Sequence, residues 1–191
     1  MEFEQLLPNY WIYAGSSLDR ALLVKFMQLS YQDLFPEQDF SHLARTVEQY
    51  FSKETPLWWV NFIDEGQGEE ELGDKETREE LPITNYQLPI TNYQSKIQNP
   101  HTPVACLWAG NAVDQVTGDR HAHIFLLYVH PKHRRRGIGK ALMRYVENWA
   151  RARGDRQLGL QVFQANKAAL NLYNHLGYQP QSLWMVKQLS E

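Results

Sequence analysis

Cys106 is the only cysteine in the 191 residues. That excludes an internal disulfide framework and fits a reducing compartment. It sits in the apolar run Val104 to Trp108, where a packed core thiol is expected. No run reaches the ~18 apolar residues that a transmembrane helix needs. The acidic start MEFEQLLPNY lacks the apolar centre of a signal peptide, so a cytoplasmic protein without membrane contact is expected. Positive charge is not in excess. Lys and Arg number 19 against 22 Asp and Glu, a net charge of -3, and no global pull toward nucleic acid follows. Two phosphate-binding signatures are also missing, G-x-G-x-x-G and the P-loop pattern G-x-x-x-x-G-K-S/T.

Apolar residues are plentiful. They make up 43% of the chain and aromatics 13%, enough for a substantial core in one domain, or one domain with an insertion. Tyr10 to Ala14 reads as a first strand. Asp19 to Leu34 carries apolar residues at helical spacing, with Ser17 as N-cap and Pro36 marking its end. Ser41 to Phe51 reads as a second, weaker helix. Leu57 to Ile63, which includes Trp58 and Trp59, has strand composition. With Trp108, these tryptophans are expected to fill the core and flank the sheet.

The character then changes. Asp64 to Glu80 holds nine acids against Lys75 and Arg78 and has little to bury. Leu81 to Gln87 (LPITNYQ) is repeated unchanged as Leu88 to Gln94. Two copies are too few for a solenoid. Residues 65–101 read as a surface insertion between two strands of a single domain spanning 1–191. Val104 to Ala109 resumes as a strand, and Gly118-Asp119 can turn a hairpin into the next one. Residues 57–63, 103–113 and 121–129 would then form a meander.

The most informative stretch is His121 to Lys140. Ile124 to Val129 has the length and branching of a buried strand, and Pro131 stops it. A basic turn follows, His133-Arg134-Arg135-Arg136, then Gly137-Ile138-Gly139-Lys140. From Ile138 the pattern becomes helical through Leu142, Tyr145, Val146 and Trp149. Strand, Gly-rich basic turn and helix start, in that order, build an anion site. Glycines let backbone N–H groups approach a ligand, and the first helical turn leaves its N–H groups without internal partners. The helix dipole adds about half a positive charge there, so a phosphate or pyrophosphate suits it. Without those glycines the turn would read as a solvated basic face or a nucleic-acid patch.

Downstream, Gly154 is placed to end this helix in left-handed conformation, and Gln157 to Phe163 reads as a further strand. It should lie parallel to the strand before the basic turn, because a helix crosses over between them. Asn166 can cap a short helix with Ala169, Leu170, Leu172, Tyr173 and Leu176 on its apolar side. Gly177 ends that helix. Tyr178, and then Leu183 to Leu189, read as closing strands.

Arg134-x-x-Gly137-x-Gly139 resembles the Q/R-x-x-G-x-G/A signature of the GNAT superfamily of N-acetyltransferases. Asn166, Ala169, Leu172, Tyr173, Gly177 and Tyr178 resemble its second block, N-x-x-A-x-x-L-Y-x-x-x-G-F/Y. The resemblance is specific over about residues 121–189. It implies an α/β (α+β) fold: a mixed, largely antiparallel twisted sheet of six or seven strands flanked by about four helices. It also implies an acyltransferase that moves an acetyl group from acetyl-CoA to a primary amine, with no metal. The pyrophosphate would lie on the backbone of Arg134, Arg135, Arg136, Gly137, Ile138, Gly139 and Lys140, with their side chains adding charge. Leu127, Tyr128 and Val129 would hydrogen-bond the pantetheine arm through their main chain. Asn166 would bind that arm, cap its helix, or do both.

Tyr173 is carried over from the second block as the general acid that protonates the departing thiolate; a packed helix tyrosine is the plain alternative. For the base, some family members have a glutamate where this chain has His123, which makes His123 the candidate; a hairpin end with exposed imidazoles is the plain alternative, and many members instead pass the proton to water. The expected partners are acetyl-CoA and an amine acceptor, in a monomer or homodimer. A non-catalytic acetyl-CoA-binding regulatory or interaction module stays open as an alternative, as does a larger acyl group.

Overall fold

The computed structural model describes residues 3–63 and 102–189. Among these residues six strands form one sheet in chain order: β1 (Phe3–Leu7), β2 (Tyr10–Ala14), β3 (Leu57–Phe62), β4 (Ala105–Val113), β5 (Arg120–Val129) and β6 (Leu158–Leu160). Neighbours are antiparallel through β5. Only β6 runs parallel to its neighbour, and α3 (Ile138–Ala152) makes the crossover, as a parallel pair requires. The other helices are α1 (Arg20–Gln32), α2 (Leu43–Tyr50) and α4 (Lys167–His175). The 57–63, 103–113 and 121–129 meander is present. The insertion expected at 65–101 lies outside the described residues. Among the described residues no helix is long and apolar enough to cross a membrane.

Three local readings are corrected. Strand β1 is additional to those expected; Asn9 turns it into β2 at φ 65°, a conformation that Asn tolerates. The side-chain cap is Ser16 rather than Ser17, and it caps a 3-10 turn, Ser17–Asp19, that leads into α1. Its hydroxyl accepts the Leu18 N–H (3.2 Å), while the Asp19 carboxylate accepts the Ser16 N–H (2.6 Å). Tyr178 and Leu183 to Leu189 form no strand; residues 179–189 are neither helical nor paired, and all are exposed. Pairing needs a neighbouring edge as well as strand composition, and the chain is not led to one.

The sheet divides the core. One face packs Tyr10, Ile12, Trp58, Val60, Leu107 and Ile124 against Ile138, Leu142, Met143 and Val146 of α3 and Tyr173 of α4. The other packs Leu57, Trp59, Cys106, Trp108, Leu126 and Tyr128 against Leu23, Phe26 and Met27 of α1 and Leu43 and Val47 of α2. Trp58, Trp59 and Trp108 are buried as expected, and so is Cys106, whose thiol pKa is pushed up by burial. That keeps it an inert thiol.

Strand β5 changes face part-way. Trp108 pairs with Leu126 and Ala109 with Ile124, so Phe125 is an extra residue on β5. Such a bulge shifts every later side chain by one position. Ile124 therefore faces α3, whereas Leu126 and Tyr128 face α1 and α2. Gly110 makes room for the bulge: a Cβ there would lie 2.4 Å from the Phe125 ring and 2.9 Å from Thr55 Cγ2.

A Gly110→Ala variant is expected to lose about 1–3 kcal/mol by overpacking. A lower urea midpoint with an unchanged m-value measures it.

Candidate functional site

The site begins where β5 loses a neighbour. Strand β6 pairs with β5 only at Ala122, His123 and Ile124, while β4 follows β5 to Val129. From Phe125 to Val129 the β6 side of β5 therefore has no strand partner among the described residues, and Leu127, Tyr128 and Val129 present backbone to it. An extended ligand can add to such an edge as a strand does.

Next come a one-turn 3-10 helix at Pro131–His133 and the loop 134–137. Two residues there have positive φ, Arg135 at 63° and Gly137 at 84°. Left-handed residues within a turn bring successive N–H groups to one side, which makes an anion nest. Gly137 is the N-cap of α3 and supplies no side-chain cap. The first helical amide to find a partner is Ala141, which donates to Gly137 O (3.0 Å). The N–H groups of Ile138, Gly139 and Lys140 precede it and have no acceptor in the helix. Around Gly137 the space is open, since a Cβ there would come no nearer than 3.9 Å to Leu7. Gly139 is needed for packing, because a Cβ would stand 3.2 Å from Leu172 of α4.

The basic side chains divide their work. Arg134 does not point into the nest. Its Nε donates to Val129 O (2.8 Å), its guanidinium pairs with Asp33 at the end of α1, and its charge lies 5.7 Å from the centre of the Tyr128 ring. Arg136 donates to the Tyr10 hydroxyl (3.1 Å), which in turn contacts His133 Nδ1 (3.1 Å). Burial, and then the Arg136 charge, lower the His133 pKa, so its ring is the neutral partner in that chain. Arg135 and Lys140 are exposed and have no ion-pair partner among the described residues. The turn is thus a braced loop, with Arg134 and Arg136 engaged and with Lys132, Arg135 and Lys140 exposed and without an ion-pair partner among the described residues, rather than a row of solvated arginines.

Helix α4 brings Tyr173 to the α3 side of the sheet. Asn166 caps this helix: its Oδ1 accepts the Ala169 N–H (3.1 Å). Tyr173 is 9% exposed, packs 5.9 Å from the Tyr178 ring, and its hydroxyl has no hydrogen-bond partner among the described residues. Burial pushes its pKa up to about 12, so at neutral pH it carries a proton that no other group holds.

His123 is elsewhere. It lies two residues before the bulge, opposite Gly110, 5.4 Å from the Phe125 ring. A Cβ on Gly159 would stand 3.3 Å from its Nδ1. Burial first, and then the charge of neighbouring His121, lower its pKa. A neutral imidazole is the form that can take a proton.

Several contributing residues carry no motif. Asp33, which anchors Arg134, and Tyr10, which holds Arg136, are 101 and 126 residues distant in sequence. Tyr31 and Phe35 near the end of α1 meet Phe163, beyond β6, edge-to-face at 5.8 and 5.2 Å. They wall the opening on the α1 side. The Pro8-Asn9 pair was the available signal for β1.

A model of the acetyltransferase (GNAT) family matches residues 68–178. Streptothricin acetyltransferase of Streptomyces lavendulae is 42% identical over 50 residues, 26% of this chain and 26% of that protein. The ribosomal protein bS18-alanine N-acetyltransferase of Escherichia coli K12 is 37% identical over 70 residues, 37% of this chain and 47% of that protein. The chain thus spans between a quarter and a half of the length of these curated relatives. Among solved structures, an aminoglycoside acetyltransferase from an uncultured soil metagenomic sample superposes with a TM-score of 0.60 at 14% identity, covering 97% of this chain and 100% of that one. At that identity the likeness is one of fold.

Two outcomes test this geometry. Asn166→Ala is expected to cost about 1 kcal/mol through the lost cap, read from chemical denaturation. The pKa values of His123, His130 and His133 are all lowered from 6.5, each chiefly by burial. Their unfolded forms bind protons first, so the stability they confer is fully present above pH 6.5 and is lost as pH falls through the folded values. The urea midpoint should fall between about pH 7.5 and about pH 5, and less steeply in His123→Gln.

Proposed function

The chain belongs to the acetyltransferase (GNAT) family, and from that premise we propose that it is an N-acetyltransferase moving an acetyl group from acetyl-CoA to a primary amine. One observation carries this reading: a nest of free N–H groups at Arg135 to Lys140 lies directly beyond an unpaired stretch of β5. The nest suits a pyrophosphate, and the open edge suits an amide-bearing arm of the length of pantetheine. Leu127, Tyr128 and Val129 would hold that arm. Arg135 and Lys140 would supply charge, and Arg134 and Arg136 would hold the loop in shape.

In the transfer, the amine nitrogen bonds to the thioester carbonyl carbon and the C–S bond breaks. The amine loses a proton, and the thiolate takes one. Tyr173 is the proton donor to sulfur, since it is protonated at neutral pH and its hydroxyl has no hydrogen-bond partner among the described residues. His123 is neutral and half-buried on the α1 side, so it is the candidate base; a route through water is the alternative. Relatives are named for acetylating streptothricin and a ribosomal-protein alanine, and a structural neighbour for aminoglycosides. The acceptor here is left at the class of primary amine, with the aromatic wall of Tyr31, Phe35 and Phe163 facing it. A cytoplasmic setting fits the reduced Cys106. We read the whole chain as one domain.

Calorimetric titration with acetyl-CoA tests the donor site. Binding is expected at micromolar concentration and should disappear in Gly137→Trp, whose side chain fills the nest. No binding to the wild type would refute the reading. Release of free thiol, measured over a panel of amines, tests turnover. Tyr173→Phe should lower kcat by about a hundredfold or more while leaving acetyl-CoA affinity near wild type; full turnover in this variant would remove Tyr173 from the mechanism.

A further inference from the structure

The end of the sheet away from the basic turn carries a second group of cations. An open cleft of about 440 Å³ lies there. It is lined by Lys53 and Glu54 of the turn before β3, Asn111 of β4, Arg120 of β5, and Trp149 and Arg153 at the end of α3. Helix α3 has 15 residues, so its cleft end and its nest end stand about 22 Å apart. The turn that carries Lys53 is ordered. Thr55 Oγ1 accepts the Ser52 N–H (2.8 Å) and donates to Tyr50 O (3.0 Å), and the Ala109 N–H on β4 donates to Pro56 O (3.0 Å).

Two arginines are fixed in this cleft by a single acid. The Asp155 side chain is wholly buried, with Arg120 Nη2 3.1 Å from Oδ1 and Arg153 Nε 3.4 Å from Oδ2. Neither carboxylate oxygen accepts a hydrogen bond among the described residues. Asp155 therefore holds the pair by charge and leaves guanidinium N–H groups unspent. Arg153 also lies 4.2 Å over the Trp149 ring. Both arginines donate to Asn111 Oδ1, which directs the Asn111 NH2 group, a further donor, away from them. Lys53 is exposed and has no ion-pair partner among the described residues. Three cations thus meet two acids, Glu54 on the rim and Asp155 beneath, and positive charge is left over.

We propose that this cleft is a second anion site, which takes a small oxyanion carrying a carboxylate or phosphate group. Guanidinium forks match the oxygens of either group, and Lys53 adds a mobile point charge at the rim. Because Arg153 is already ordered by Asp155, Asn111 and Trp149, binding costs it little further entropy. Pro56 and Trp149 supply the apolar wall for the body of the ligand. The site lies at the opposite end of β5 and α3 from the nest, so its ligand does not compete with acetyl-CoA. It stands independently of the acetyl-CoA reading.

The test is calorimetric titration of the full chain with citrate and, separately, with inorganic phosphate, at constant ionic strength. Gly137→Trp serves as the background, so that the nest is filled and only the cleft is read. One of the two anions is expected to bind with a Kd of about 1 mM or tighter. The stronger of the two tells a carboxylate ligand from a phosphate ligand. Adding Arg120→Gln or Lys53→Gln should weaken that binding about tenfold or more. Lys53 is exposed, so its variant keeps the fold even if Arg120→Gln, which strips Asp155 of a partner, does not. Failure of both anions to bind overturns the proposal. Binding that is unchanged in Lys53→Gln and Arg120→Gln overturns it as well. So does binding seen in the wild type but lost in Gly137→Trp, which would put the anion on the nest.

Discussion

The site depends on β5 having two neighbours over its first half and one over its second. Pairing with β6 stops at Ile124, and the bulge at Phe125 follows at once. A bulge raises the local twist of its strand, and here it sits at the residue after pairing with β6 stops. A strand paired on both sides would offer no backbone to a ligand. This one keeps the rigidity of a sheet through β4 while leaving a free edge, and its last residue leads straight into the anion nest. On the proposed reading, one continuous run of backbone, Leu127 to Lys140, would serve both donor arm and donor phosphate on a fixed frame. Gly110, far from the nest in sequence, leaves the space that the bulge occupies.

The loop is stiff for reasons separate from its charge. Positive φ at Arg135 would be strained in isolation. Arg134 and Arg136 clamp the residues on either side, one to the α1 terminus and the Val129 carbonyl, the other to Tyr10. The Arg134–Asp33 pair is partly exposed, so its contribution to global stability is small. Its effect is on orientation, joining α1 to the loop across the end of the sheet. Preorganised N–H groups bind an anion without a further loss of ordering entropy.

Tyr173 and His123 stand on opposite faces of the sheet. Tyr173 sits among apolar side chains against α3, where burial disfavours the phenolate. His123 sits under the α1 side, where burial disfavours the imidazolium. The same physical effect, desolvation of the charged form, shifts the two groups in opposite directions and favours the uncharged form of each.

Much of this was legible in the residues themselves. Apolar runs bounded by Pro and Gly marked β2 to β5 and all four helices. The spacing of Gly137 and Gly139 marked the nest, and Asn166 marked the cap of α4. These features are local: a turn, a helix start or an apolar face is decided by residues a few positions apart. Other features are non-local. Asp33 and Tyr10 gained their roles because the fold brought them to the basic turn from 101 and 126 residues away. Strand β1, and the bulge at Phe125, come from sheet pairing that no single segment specifies. Leu183 to Leu189 has the composition of a strand, yet a strand exists only beside another. The sequence determined the kind of each element and the chemistry of the loop; tertiary structure decided which arginines were free, which face each titrating group met, and where an edge was left open. The reason is that propensity acts over a few residues, whereas pairing, burial and charge partnership are settled only by what the folded chain brings alongside.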